Sequence, residues 1–217
     1  MRGNSGYSFV FCLLLLGGPF ATIAETGDTR EPVSTVPERV IELHDRAIEG
    51  AGDSVDRAIS ALEDLLKEDP ENELARAYLG NTYTLKARDA APWRKRGWLN
   101  RGIETMDAAV DRAPGNPRVR LIRAINAYNL PRMAGRYDLA AGDFTVLLEA
   151  LDESPDEFDA AFAQEVYFHA GAFAIKEADF KRAVVLLEKA GDFESENGLA
   201  HPIETMLRAA RSRIENS

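Results

Sequence analysis

Apolar residues along most of this chain recur every three or four positions, which is the spacing of an amphipathic helix. From residue 36 onward the sequence is rich in Ala, Leu, Glu and Arg, and Pro and Gly fall mostly at narrow breaks. No window shows the sustained alternation of apolar and polar residues that is typical of a half-buried strand. The pattern therefore predicts an all-α protein.

The breaks divide residues 36–217 into four predicted helical hairpins and a final helix. The first helix of hairpin one is predicted near Pro37–Gly50. That of hairpin three is predicted over Pro117–Asn129, because the residue before Pro131 is disfavoured in a helix. A last amphipathic helix is predicted over Pro202–Ile214, where it caps the exposed end of the stack. Its apolar face consists of Met206, Leu207, Ala210 and Ile214.

The second hairpin carries the most specific motif. Its two helices present Leu79, Gly80 and Tyr83, and then Gly102, Met106 and Ala109 before Pro114. This order of small and large residues resembles the tetratricopeptide repeat, in which small residues let two antiparallel helices approach closely. The fourth hairpin is similar, through Gly171, Ala174, Asp179, Phe180, Ala183, Leu187 and Ala190.

The resemblance covers about residues 36–195 and implies a right-handed α-solenoid of about four hairpins, whose first helices line a concave groove. The residues that it places toward the groove are Asn81, Thr84, Arg118, Tyr128, Asn129, Glu165 and Phe168. Asn81 and Arg118 occupy sites similar to those where relatives hold a C-terminal carboxylate, although Ala77 and Ile122 replace further polar donors. A different helical-pair repeat is the alternative.

The sequence departs from the repeat in hairpins two and three. About ten extra residues, AAPWRKRGWL, separate the predicted helices of hairpin two, and about four lie around residues 129–131. The first insert holds both tryptophans and three cations: Trp93, Arg94, Lys95, Arg96 and Trp98. Such a cluster suits an anionic or aromatic group, a partner protein or a membrane surface. Pro92 also suits the first turn of the second helix. Alternatively, the tryptophans fill the space within a lengthened hairpin.

Charge is unevenly distributed along the chain. Residues 86–136 contain 12 Lys and Arg against four acids, a net charge of +8, whereas the whole chain carries −10. A basic middle between acidic flanks favours an anionic partner or an acidic protein surface. Internal neutralisation between neighbouring hairpins is the alternative. Nucleic acid is not expected as a partner, because the chain is acidic overall and lacks a recognised nucleic-acid module.

The N-terminus has the layout of a secretory signal peptide. An apolar run from Val10 to Leu16 is too short to span a bilayer, and Thr22 and Ala24 fit a cleavage site. Residues 1–24 are therefore predicted to be removed together with Cys12, the single cysteine. Residues 25–35 are predicted to form a flexible leader, and the domain to occupy residues 36–217. The expected location is the periplasm of a Gram-negative bacterium; an N-terminal membrane anchor is the alternative.

Catalytic patterns are not found in the sequence. His44, His169 and His201 fall in different helical units, and no P-loop, GxSxG or HExxH motif is present. We therefore expect no enzyme activity, cofactor or metal.

The predicted function is an exported scaffold that binds a protein or peptide through the groove and the basic insert, without stable membrane insertion. The alternative is a small-ligand-binding auxiliary protein of an envelope or transport system, with a pocket between hairpins two and three. Self-association is compatible with either function.

Overall fold

The structure, a computed structural model, describes residues 35–195 and 197–216. The predicted signal peptide and residues 25–34 of the predicted leader lie outside these residues. Within the described residues the chain forms nine α-helices and no strand, which confirms the all-α prediction. The helices are α1 (Glu38–Ile48), α2 (Ser54–Glu68), α3 (Glu73–Asp89), α4 (Pro92–Arg112), α5 (Pro117–Asn129), α6 (Tyr137–Glu153), α7 (Ala160–Lys176), α8 (Phe180–Gly191) and α9 (Ala200–Glu215).

The bounds of α5 agree with the sequence prediction residue for residue, because each is set by local chemistry. Asn116 accepts hydrogen bonds from the backbone N–H groups of Arg118 and Val119, and Pro117 occupies the first helical position. The helix stops at Asn129, one residue before Leu130 becomes extended ahead of Pro131. Local signals therefore determine where this helix begins and ends.

The insert predicted between the helices of hairpin two is helical. Only Ala90 and Ala91 separate α3 from α4, which begins at Pro92 and runs for 21 residues. The extra residues therefore lengthen the hairpin through α4, which begins at Pro92, and they do not form a separate connecting segment. Pro92 needs no hydrogen-bond partner at a first helical position, and the Trp, Arg, Lys and Leu residues that follow are all compatible with a helix.

The first helices of the hairpins, α1, α3, α5 and α7, contact one another in chain order, and we call them the first-helix layer. They run parallel, since neighbouring helices are bonded start to start and end to end. The contacts near the starts are Asn72–Thr35 and Arg118–Asp159, and those in the second halves or at the ends are Arg88–Ile48, Asn126–Thr84 and Lys176–Asn129. The α3–α4 turn and the α6–α7 turn therefore lie at opposite edges, which we call the end edge and the start edge.

Helices α3 and α4 approach each other closely at two glycines. A Cβ atom added to Gly102 would lie 2.6 Å from the Gly80 carbonyl oxygen and 2.6 Å from Thr84 Cγ2. A Cβ atom added to Gly80 would lie 2.6 Å from Met106 Cγ. The predicted close approach of these helices is confirmed, and there is no room for a side chain at either glycine.

A buried ion-pair group joins α5 to α6. Asp143 is 2% exposed and accepts hydrogen bonds from Arg120 at 2.8 Å and from Arg123 at 2.7 and 2.8 Å. Arg123 also lies 3.6 Å from Asp107 on α4, which pairs in turn with Arg136. Asp143 thus holds α5 to α6 within hairpin three, and Asp107 joins hairpins two and three through charge-assisted contacts.

The terminal helix α9 packs on α8 and α7, at the end of the described hairpins. Ala210 is buried in the contact, and Met206 and Leu207 pack against the same apolar cluster. Ile203, absent from the predicted apolar face, is 5% exposed, whereas the predicted Ile214 is 36% exposed. The predicted face therefore needs correction at its ends, because α8 ends at Gly191 and covers the first half of α9.

Candidate functional site

Three of the first helices are joined by a polar network in the layer's middle. Asn81 Nδ2 contacts His44 Nε2 at 3.0 Å, and Asn126 Nδ2 donates at 2.7 Å to both Asn81 Oδ1 and Thr84 Oγ1. Thr84 in turn donates to the backbone oxygen of Asn81. The predicted groove residues Asn81 and Thr84 therefore use their polar groups to connect α1, α3 and α5.

This network fixes the proton on His44. An amide nitrogen can only donate, so His44 Nε2 accepts from Asn81 and the proton of the neutral ring lies on Nδ1. Nδ1 is 3.5 Å from Asp45 Oδ1, too far for a good hydrogen bond. His44 and Asp45 are 0% and 8% exposed, and neither of these atoms has a hydrogen-bond partner in the described residues. A buried donor and a buried acceptor are thus left open side by side.

Charged and polar groups from the other first helices surround this pair. Burial raises the pKa of the Tyr78 hydroxyl on α3, and the charges of Glu165 and Asp45 raise it further. Burial likewise raises the pKa of the Glu165 carboxyl on α7 to about 8; Arg118 on α5 lowers it, and Asp159 and Asp45 raise it. These residues lie close enough for their charges to interact. We define the first-helix cluster as His44, Asp45, Tyr78, Arg118 and Glu165.

The raised pKa of Glu165 predicts how stability depends on pH. Above the ordinary value of 4.5 the unfolded carboxyl loses its proton, whereas the folded one keeps it up to about pH 8. The contribution of Glu165 to stability is therefore complete below pH 4.5 and is lost as pH rises to 8. Glu165→Gln should unfold with nearly the wild-type free energy at pH 4.5 and be more stable by at most about 4 kcal/mol at pH 8, measured by urea denaturation.

The exposed Glu157→Gln is the matched control for that experiment, and it should follow the wild-type curve at both pH values. If the free energies of unfolding of Glu165→Gln and wild type differed by the same amount from pH 4.5 to 8, a protonated Glu165 would be contradicted. Such a result would mean that the substitution acts in a way that does not depend on pH.

Arg118 does not present a carboxylate clamp together with Asn81. It donates to Asp159 at 2.6 Å, and its guanidinium lies 5.0 Å from the centre of the Phe162 ring. Asn81 is bonded to His44 and Asn126. Both predicted donors therefore have partners within the chain, and they contribute to the shape and charge of the cluster.

Two of the predicted groove residues lie in the interior. Tyr128 is 5% and Phe168 is 2% exposed, since both pack among the aromatic side chains between α5, α6 and α7. The Tyr128 hydroxyl lies 2.8 Å from His169 Nδ1, and burial lowers the pKa of His169 to about 3, so the ring is neutral. Asn129, at the end of α5, accepts a hydrogen bond from Lys176 at 2.9 Å. Tyr128 and Phe168 therefore support the layer from within.

Comparison with known proteins gives no match to a protein family, to a curated protein or to a solved structure. Within residues 35–195 and 197–216, no helix has the length and apolar character needed to cross a membrane. The function is therefore inferred from the contacts and charges of this chain.

The two tryptophans at the start of α4 have different environments. Trp98 is half-buried and packs on Tyr83 with ring centres 5.6 Å apart, and Arg101 lies over the Tyr83 ring at 4.1 Å. Trp93 is 82% exposed, and the three cations after it are exposed as well. Trp98 thus fills space between α3 and α4, and the first turn of α4 presents Trp93, Arg94, Lys95 and Arg96 to solvent. We call these four residues the α4 basic segment.

Internal pairing neutralises most of the basic middle of the chain. Of the 12 cations in residues 86–136, nine lie within 4.0 Å of a carboxylate: Lys86, Arg88, Arg101, Arg112, Arg118, Arg120, Arg123, Arg132 and Arg136. The remaining three are the cations of the α4 basic segment, which have no carboxylate partner among the described residues. Uncompensated positive charge is therefore concentrated beside Trp93.

Only part of the first-helix cluster was predictable: Arg118 and Glu165 were expected in the groove, whereas His44, Asp45 and Tyr78 were not. His44 and Asp45 belong to different motifs from Tyr78 and Glu165, and 37 residues separate His44 from Asn81. The one available signal was the position of His44 and Asp45 between Ile41 and Ala47, on the side of α1 that is otherwise apolar. Ionisable side chains on the buried face of a helix are unusual and mark candidate sites.

Proposed function

We propose that the protein is an exported scaffold of the tetratricopeptide type, a right-handed solenoid of four hairpins with α9 as its cap. On this proposal the first-helix layer binds a segment of a protein partner, and the α4 basic segment makes a second contact. The ordered contacts within the first-helix layer and the glycine contact between α3 and α4 support the solenoid.

The observation that carries the binding function is the open pair of atoms in the first-helix cluster. Leaving a buried polar group without a hydrogen bond costs about 1–3 kcal/mol, and a partner that supplies the missing bond recovers this free energy. His44 Nδ1 offers a donor and Asp45 Oδ1 an acceptor, 3.5 Å apart, and because both atoms are buried the first helices must move apart before a partner reaches them. A peptide backbone offers the complementary pair, a carbonyl and an N–H group, and therefore suits this site.

A small ligand between hairpins two and three is less well supported. Asn126 reaches Asn81 and Thr84 across that boundary, and Arg123 and Arg136 reach Asp107. These contacts occupy the space in which a pocket would have to lie. A surface cavity of about 310 Å³ lies instead between α1 and α2, lined by residues that include Arg39, Leu43 and Ala61.

The test is to select peptides from a random displayed library against the purified protein and to measure their affinity by calorimetry. Peptides held at the first-helix cluster should bind Asp45→Asn about tenfold more weakly, because the amide oxygen that replaces the carboxylate is an uncharged acceptor. The matched control is Glu42→Gln, an exposed carboxylate on the same helix, which should bind as wild type does. Equal affinity of the selected peptides for Asp45→Asn and wild type would exclude this site.

A further inference from the structure

The α4 basic segment has the composition of a contact surface. Trp93 is a large apolar side chain that is 82% exposed, and Arg94, Lys95 and Arg96 next to it have no carboxylate partner in the described part of the chain. Tryptophan and arginine are the residues that most often dominate the energy of protein–protein contacts. The segment lies at the end edge, immediately after the α3–α4 turn.

A cavity of about 260 Å³ lies near the start edge, beside the α6–α7 turn. Its walls are mostly apolar and aromatic, and they comprise Leu151, Asp152, Pro155, Phe158, Ala163, Tyr167 and Phe193. The Tyr167 and Phe193 rings are stacked with centres 5.9 Å apart and form a flat aromatic wall. This volume is below the range of drug-sized ligand sites and suits one large aromatic side chain.

The rim of this cavity is negatively charged. Residues 149–159 contain six acids and no Lys or Arg. Asp152 pairs with Lys189 and Asp159 pairs with Arg118. The other four, Glu149, Glu153, Asp156 and Glu157, are exposed and have no cation partner among the described residues. The charge around the cavity is therefore opposite to the charge around Trp93.

We propose that Trp93 of one molecule inserts into this cavity of a second copy, with its three neighbouring cations facing the acidic rim. The same chain carries both complementary surfaces, and this favours a second copy as the occupant. The two surfaces cannot meet within one molecule, because they lie at opposite edges separated by the length of a helix, about 25 Å for the 17 residues of α3. The contact is heterologous and joins copies head to tail.

This inference is independent of peptide binding at the first-helix cluster, and either can fail without the other. The purified protein should gain average mass with concentration in sedimentation and light-scattering measurements, and added salt should reduce the effect. Trp93→Ala should weaken association by at least about tenfold.

Two variants test the pairing of the surfaces. The first, Trp93→Ala with Arg94→Glu and Arg96→Glu, removes the inserted side; the second, Glu153→Lys with Asp156→Lys and Glu157→Lys, removes the receiving side. Each variant alone should be monomeric, because the first has no side chain to insert and the second has no acidic rim to receive it. Mixed in equal amounts they should form a 1:1 dimer and nothing larger, since one intact half remains on each molecule.

The control is Lys181→Glu with Val185→Ala, which alters another exposed cation and apolar side chain and should associate as wild type does. All substituted positions are exposed, so unchanged helicity by circular dichroism is expected for every variant. A wild-type protein that stays monomeric at every concentration would overturn the inference. So would mixed variants that remain monomeric, or binding of the α4 basic segment only to anionic vesicles or to another protein.

Discussion

Replacing Asp143 with alanine should lower the free energy of unfolding by about 3–5 kcal/mol, the largest effect that we expect from a single substitution. Asp143 is buried and accepts three hydrogen bonds from Arg120 and Arg123, which are themselves mostly buried. Without the carboxylate two guanidinium groups remain in the interior, and Arg120 has no other carboxylate within 4.0 Å in the described residues. Urea denaturation at neutral pH measures the difference.

The matched control for Asp143→Ala is Glu149→Gln, an acid on the exposed side of the same helix. It should change the free energy of unfolding by less than about 0.5 kcal/mol, as surface substitutions usually do. A loss of under about 1 kcal/mol for Asp143→Ala would mean that water reaches the two arginines, and the buried character of this ion-pair group would then be wrong.

Gly102→Ala should destabilise the protein by about 2 kcal/mol or more, although alanine is the better helix former. The added Cβ would meet backbone oxygen at Gly80 and a methyl carbon of Thr84, both at 2.6 Å. The backbone oxygen of Gly80 and the backbone nitrogen of Thr84, which would lie 3.0 Å from the added Cβ, cannot move aside as a flexible side chain can, so α3 and α4 must separate. The gain of up to about 1 kcal/mol from helix propensity does not offset this overlap.

Gly97→Ala, on the same helix as Gly102, should raise the stability of the protein. A Cβ atom at Gly97 would have no atom within 4 Å, so only the propensity gain remains, and stability should rise by up to about 1 kcal/mol. Thermal and urea unfolding of the two variants should therefore shift in opposite directions. Equal shifts of the same sign would show that the glycine contact does not limit the distance between α3 and α4.

Helix positions were predictable from the sequence where local chemistry sets them. The start of α5 follows from the Asn116 cap and Pro117, and its end from Pro131. In hairpin two the consensus repeat indicates about ten extra residues between the helices, whereas Pro92 suits a first helical position, and the structure places those residues in the start of α4. The propensities of the residues after Pro92 would have extended α4 to the α3–α4 turn.

The site was less predictable, since it depends on which helices become neighbours. Helix α7 is apolar on nearly all sides, and 12 of its 17 residues are buried. The spacing of its apolar residues therefore does not show which face lines the groove. Phe168 therefore could not be distinguished from a groove residue by its position in the repeat. Conversely, His44 and Asp45 can be recognised as part of a site only when the packing of the helices is known, because Tyr78 on α3 and Glu165 on α7 complete the cluster. Such contacts join distant segments and leave no local pattern.

The opposed charges of the two edges make a large contribution to the electric dipole moment of the molecule. Three uncompensated positive charges at the α4 basic segment face four negative ones around the α6–α7 turn, and about 25 Å lies between the two edges. Three unit charges across that distance amount to a moment of about 360 debye, equal to that of about 100 aligned peptide groups. The field of a charged partner therefore turns the molecule before contact and selects which edge arrives first.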